Sequence, residues 1–79
     1  MGPPLTVIGR ADCPWCDKVK ALLSEHGISF SYIELSRGRL AEMGRAHGFS
    51  TVPQVFADDM TRRLGGYTEM KNLLERITP

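Results

Sequence analysis

The chain has 79 residues with ten Lys and Arg against nine Asp and Glu, a net charge of +1. That length suits one small domain over residues 1–79, and charges so evenly mixed argue against nucleic acid as the main partner. No run is long and apolar enough to span a membrane and no signal peptide is recognisable, so the expectation is a soluble, cytoplasmic protein. In that reducing compartment a Cys-x-x-Cys pair is more often catalytic or metal-binding than structural, and this chain has just two cysteines, Cys13 and Cys16.

Residues 1–6, Met1-Gly2-Pro3-Pro4-Leu5-Thr6, formally fit an N-myristoylation pattern. Pro3 and Pro4 make a stiff lead-in and Thr6 falls in the first strand, so a plain disordered terminus is the better reading. Residues 5–9 form a continuous apolar run, as in a strand buried on both faces. Arg10-Ala11-Asp12 is the loop into Cys13-Pro14-Trp15-Cys16. A first helix spans about residues 14–26 and stops at Gly27.

Cys13 therefore sits at a helix N-terminus, where unpaired N–H groups and the helix dipole favour a thiolate, the species that attacks disulfides. Pro14 fits the first helical position. Cys16 lies one turn on, at a spacing a disulfide closes with a small adjustment. It shares a face with Val19 and Leu23, so it is expected to be buried and Cys13 exposed.

Residues 30–35 alternate as a second strand. Strand, helix, strand implies a right-handed crossover and parallel pairing. Ser36-Arg37-Gly38-Arg39 reads as a polar turn, followed by a short helix marked by Leu40, Met43 and His47 and ended by Gly48. Residues 52–56 read as a third strand, Asp58-Asp59 as a turn, and residues 61–64 as a fourth strand closing a hairpin. After the break at Gly65-Gly66, Tyr67 or Thr68 opens a third helix with Met70, Leu73, Leu74 and Ile77 on one face. The order β-α-β-α-β-β-α describes an α/β fold, a four-stranded mixed sheet flanked by three helices. A Cys-x-x-Cys beside such a βαβ unit reads as a thioredoxin-like redox motif.

Three blocks, Cys13-Pro14-Trp15-Cys16, Thr51-Val52-Pro53 and Gly65-Gly66-Tyr67-Thr68-Glu69, resemble those of a dithiol glutaredoxin of the small bacterial or phage type. Phe30 and Gln54-Val55-Phe56 fit as well, and the resemblance covers nearly the whole chain. It implies a disulfide oxidoreductase with Cys13 as nucleophile, Cys16 as resolving thiol and a cis Pro53 facing them. The backbone of Val52, after Thr51, would pair with an extended peptide, most simply glutathione. Gly66, Tyr67 and Thr68 would hold its γ-glutamyl end at a helix N-terminus. Trp15 would wall the groove, and Arg10 would attract the glycyl carboxylate or support the Cys13 thiolate.

Two departures stand out. Phe49-Ser50 replace the Arg or Lys that family members commonly carry before Thr-Val-Pro, leaving Arg37, Arg39 or Arg45 as candidate substitutes. The hairpin between Phe56 and Gly65 is also a residue or two longer than is usual in the family.

The resemblance implies glutathione as co-substrate with no tightly bound cofactor or metal, and a monomer acting on disulfide-containing or glutathionylated proteins, ribonucleotide reductase among them. A redoxin fed by thioredoxin reductase is a close variant. A [2Fe-2S] carrier is a different class, against which Pro14 speaks, because cluster-binding members usually have Gly there. The plain alternative for the cysteines is a zinc half-site, but only His26 and His47 remain, at no recognisable ligand spacing.

Overall fold

The computed structural model describes residues 5–77, and for Ile77 the backbone alone. The expectations for residues 1–4 and for the Ile77 side chain thus lie outside the described residues. Seven elements follow the expected order: β1 (Leu5–Gly9), α1 (Pro14–Glu25), β2 (Phe30–Glu34), α2 (Arg37–His47), β3 (Gln54–Ala57), β4 (Arg62–Gly65) and α3 (Tyr67–Ile77). They build one sheet of order β2-β1-β3-β4. β1 pairs parallel with β2, placing Val7 opposite Tyr32 and Gly9 opposite Glu34. β1 pairs antiparallel with β3, which pairs antiparallel with β4.

Successive side chains on a strand point to opposite faces. Val7 and Val55 therefore face one way and join Val19 and Leu23 of α1 and Met70 and Leu74 of α3 in a buried cluster. Phe56 and Ile8 face the other way, and there the rings of His47 and Phe49 lie 5.3 and 5.9 Å from that of Phe56. Gly44 permits the chain reversal after α2: its carbonyl accepts the N–H groups of Gly48 and Phe49, and a side chain there would collide with the Phe49 carbonyl. Gly48 ends the helix in the left-handed region, φ 78°.

The element edges differ from the sequence reading in physically simple ways. α2 begins at Arg37, three residues before Leu40, because Ser36 caps it by accepting the Arg39 N–H at 3.4 Å. β2 is assigned only to Glu34, yet the Leu35 N–H still donates to the Gly9 carbonyl at 2.9 Å. β3 starts at Gln54, two residues later than expected, since Pro53 has no N–H for the ladder. β4 runs 62–65 rather than 61–64. Asp58, Asp59 and Met60 all adopt positive φ, and Thr61 closes the turn by donating from N and Oγ1 to the Asp58 carbonyl. The register slips between Val55 and Phe56, leaving Leu64 between two pairs.

The apolar stripe of α3 is narrower than its sequence suggests: Leu74 is 2% exposed but its neighbour Leu73 is 39% exposed. Leu74→Ala is expected to cost about 2–5 kcal/mol, and Leu73→Ala less than about 1 kcal/mol. Thermal denaturation of the two variants checks the assignment, since about 1 kcal/mol moves Tm by about 4–8 °C in a domain of this size.

Candidate active site

The site lies where β1 ends and α1 begins. Cys13 is the N-cap of α1, extended at φ −120° and ψ 99°, and Pro14 takes the first helical position. The Cys13 carbonyl accepts the N–H groups of Cys16 and Asp17, and the Cys13 sulfur also accepts the Cys16 N–H at 3.2 Å. The two cysteines form a disulfide with Cα atoms 5.2 Å apart. Cys16 is fully buried, as its helical face requires. Cys13 is not the exposed residue the sequence suggested: it is 5% exposed against 0% for Cys16. As disulfide partner and cap, its sulfur is turned back along the helix.

Trp15, between the cysteines, is 53% exposed, and its ring lies 5.6 Å from that of Tyr67 with the Lys18 ammonium 4.4 Å from its centroid. The Val52–Pro53 peptide is cis, as the resemblance implied. Gln54, buried at the start of β3, holds the preceding loop: its Nε2 donates to the Thr51 carbonyl and Oγ1, while its Oε1 accepts from Arg63. The start of α3 approaches so closely that a Cβ on Gly66 would stand 3.1 Å from the Pro53 carbonyl oxygen.

These segments enclose a groove of about 200 Å³ lined by Trp15, Thr51, Val52, Pro53, Gly66, Tyr67, Thr68 and Glu69. One end is the N-terminus of α3, whose first-turn N–H groups have no partner within the helix. The Glu69 carboxylate reaches back to accept the Gly66 N–H at 2.7 Å, the returning half of a capping box. Thr51 and Val52 also line a second cavity of about 580 Å³, with Arg10, Arg37, Leu40, Ala41, Phe49 and Ser50. Arg10 folds over its own loop, donating to the carbonyls of Ala11 and Asp12 at 3.1 and 3.2 Å.

Arg10, Trp15, Thr51, Val52, Pro53, Gly66, Tyr67 and Thr68 thus line one or the other of two adjoining hollows, while Cys13 and Cys16 are buried and line neither. Of the three candidate substitutes for the missing basic residue, Arg37 lines the second cavity, whereas Arg39 lines a separate one between β2 and α2. Sequence reasoning missed the positioning roles of Gln54 and Glu69. A lone Gln in an apolar strand and the Gly-x-x-Glu spacing were the available signals. Among the described residues no group of three or more His, Cys, Asp or Glu is arranged to hold a metal ion, and no helix is long and apolar enough to cross a membrane.

Comparison with known proteins agrees with this geometry. The glutaredoxin family profile matches residues 5–61. Glutaredoxin 1 of Rickettsia prowazekii is 39% identical over 67 residues, which span 80% of this chain and 68% of that protein. Among solved structures, a buckwheat glutaredoxin–glutathione complex superposes with a TM-score of 0.78 at 28% identity, covering 92% of this chain and 69% of that one. NrdH-redoxin from Escherichia coli, a glutaredoxin-like protein with a thioredoxin-like activity profile, superposes with a TM-score of 0.72 at 29% identity, covering 98% and 97%. The mixed sheet and its three helices are thioredoxin-like.

Glu69 is expected to be a cap rather than a general solubilising charge. Glu69→Ala should cost about 1 kcal/mol, while Glu69→Gln, which keeps the acceptor oxygen, should recover most of it. Equilibrium urea denaturation of both variants separates the cap from a simple charge effect.

Proposed function

Because the chain belongs to the glutaredoxin family and is a thiol-disulfide oxidoreductase, we propose that it reduces disulfides and glutathione mixed disulfides with glutathione as its co-substrate. One observation carries this reading. Thr51 and Val52 are shared by two hollows, one ending at a helix N-terminus and walled by Trp15 of the Cys-x-x-Cys segment, the other flanked by Arg10 and Arg37. Glutathione is a short extended peptide with a carboxylate at each end, and this trough offers an anion site at each end. Its γ-glutamyl carboxylate would meet the Tyr67 and Thr68 N–H groups, with Glu69 beside its ammonium. Its glycyl carboxylate would lie toward Arg10 and Arg37, which stand in for the absent basic side chain at Ser50. Its backbone would pair with Val52 as an added strand, and Trp15 and Tyr67 would cover its apolar side.

In the reduced enzyme the Cys13 thiolate attacks one sulfur of the substrate disulfide. The Cys13–S bond forms, the original S–S bond breaks, and its electron pair leaves on the second sulfur. The helix N-terminus stabilises the attacking thiolate. Two completions follow. Cys16 attacks Cys13, reforming the Cys13–Cys16 disulfide and releasing a reduced protein thiol. Alternatively, glutathione attacks a Cys13–glutathione adduct and releases glutathione disulfide. Protein disulfides, that of ribonucleotide reductase among them, are substrates for the first route and glutathionylated proteins for the second.

A second reading has its own support. Phe49 and Ser50 place no charge before Thr51, the Phe49 ring being packed against Phe56. A weakened carboxylate anchor favours a redoxin reduced by thioredoxin reductase. The deciding assay supplies a mixed disulfide with glutathione, glutathione reductase and NADPH, beside a parallel reaction with thioredoxin reductase. Turnover with glutathione is expected; turnover with thioredoxin reductase alone contradicts the proposal.

The same roles set the outcome for three variants. Cys13→Ser should abolish both routes, and Cys16→Ser should keep deglutathionylation but lose dithiol reduction, as read by separate assays on a glutathionylated peptide and a protein disulfide. Arg37→Ala should raise KM for glutathione about three- to tenfold with kcat nearly kept, the loss of one partly exposed charge-assisted contact.

A further inference from the structure

Gly9 closes β1 directly behind the buried sulfur. A Cβ at that position would stand 2.6 Å from Tyr32 Oη and 2.9 Å from both Cys16 Sγ and Tyr32 Cε1. The phenol end and the sulfur therefore close in on the same point, in space that is free to them only because residue 9 has no side chain. Tyr32 reaches it from β2, one strand away, and its hydroxyl donates to the Arg10 carbonyl at 3.3 Å. The Lys20 ammonium sits 3.9 Å from the centroid of the Tyr32 ring and is itself 3.5 Å from Asp17. Cys16 is fully buried while Tyr32 is half-buried, so the phenol spans the distance from the sulfur to solvent.

We propose that Tyr32 is a positioning residue for the resolving step: its hydroxyl turns from the Arg10 carbonyl to donate a hydrogen bond to the Cys16 thiolate as that thiolate forms. The inference rests on the resolving role given to Cys16 above. A thiol in apolar surroundings holds its proton and is a poor nucleophile. The Cys16 proton passes to solvent by way of the phenol oxygen. The Cys16 sulfur then forms its bond to Cys13 as the Cys13–substrate bond breaks, and the electron pair leaves on the substrate sulfur, which takes a proton from water. No other oxidant or reductant enters. A hydrogen bond to the thiolate raises its population more than it lowers its intrinsic nucleophilicity, so attack is faster.

The surroundings suit a donor. Burial raises the Tyr32 pKa above its ordinary value; Lys20 opposes this, and Glu34 and Asp17 reinforce it. The phenol thus keeps its proton at neutral pH. The Lys20 ammonium over the ring adds positive potential beside the phenol.

The test uses Tyr32→Phe, which keeps the ring and removes only the hydroxyl. In a Cys13→Ser background Cys16 is the sole thiol, so the ultraviolet absorbance of its thiolate reports its titration directly, without any substrate. With Tyr32→Phe added, that signal is expected to appear at higher pH. In the otherwise native enzyme, Tyr32→Phe is expected to slow dithiol reduction of a protein disulfide about tenfold, the usual scale of one hydrogen bond to a charged group. In a Cys16→Ser background it should leave deglutathionylation within about twofold, since that route does not use Cys16. An unmoved Cys16 titration, or equal slowing of both routes, overturns the proposal. Failure of the glutathione reading would look different: the parent enzyme would not turn over with glutathione, while the Cys16 titration would still respond to Tyr32.

Discussion

The N-terminus of α1 is the constraint on which the site depends. Cys13 caps it with both its carbonyl and its sulfur, so the helix holds the reactive atom in place before any substrate arrives. The same unpaired end of the helix supplies the partial positive charge that favours a thiolate. Pro14 can occupy the first helical position because no N–H is needed there. The parallel pair β1 and β2 delivers the chain to this point, and the antiparallel pair β1 and β3 brings the Val52–Pro53 segment to its flank. The reactive end of the molecule is therefore the meeting place of loops that lie far apart in the chain.

A second helix N-terminus, that of α3, stands across the groove. Its approach to the Pro53 carbonyl needs Gly66, and its first N–H is occupied by Glu69. The trough between the two termini continues past Val52 to Arg10 and Arg37. The two faces of the sheet divide the remaining labour. One packs α1 and α3 and carries Tyr32 up to the buried sulfur. The other packs His47 and Phe49 against Phe56, which removes the residue before Ser50 from the groove.

Much of this was legible in the sequence because local rules carry it. The Asp58-Asp59 turn marked β4, apolar patterning marked the other elements, and Gly48 and Pro14 marked helix ends. Leu40 misled about the start of α2, because the cap at Ser36 makes helix out of a stretch that composition alone assigns to a turn. Leu73 misled about α3, since helical spacing shows which residues share a stripe but not how wide a partner covers it. The direction of the Cys13 sulfur depends on its disulfide and its cap, so burial could not be inferred from its place at a helix start. Arg37 could not be told from Arg39 and Arg45, and Tyr32 was invisible as a site residue, because each acts across a tertiary contact that no sequence spacing encodes. The Gly9–Tyr32 pairing is the clearest case, a glycine whose purpose appears only when the strand beside it is in place.

On the reading proposed above, one trough, running from the start of α3 past Val52 to the two arginines, receives glutathione while Cys13 holds its sulfur. The direct measurement is a comparison of backbone amide NMR spectra of the Cys16→Ser protein before and after Cys13 is converted to its glutathione mixed disulfide. Shifts at Val52, Tyr67 and Thr68, together with the side-chain signals of Arg37, are the predicted result. Shifts confined to Cys13 and its immediate sequence neighbours, with the α3 N-terminus and Arg37 unmoved, would contradict it.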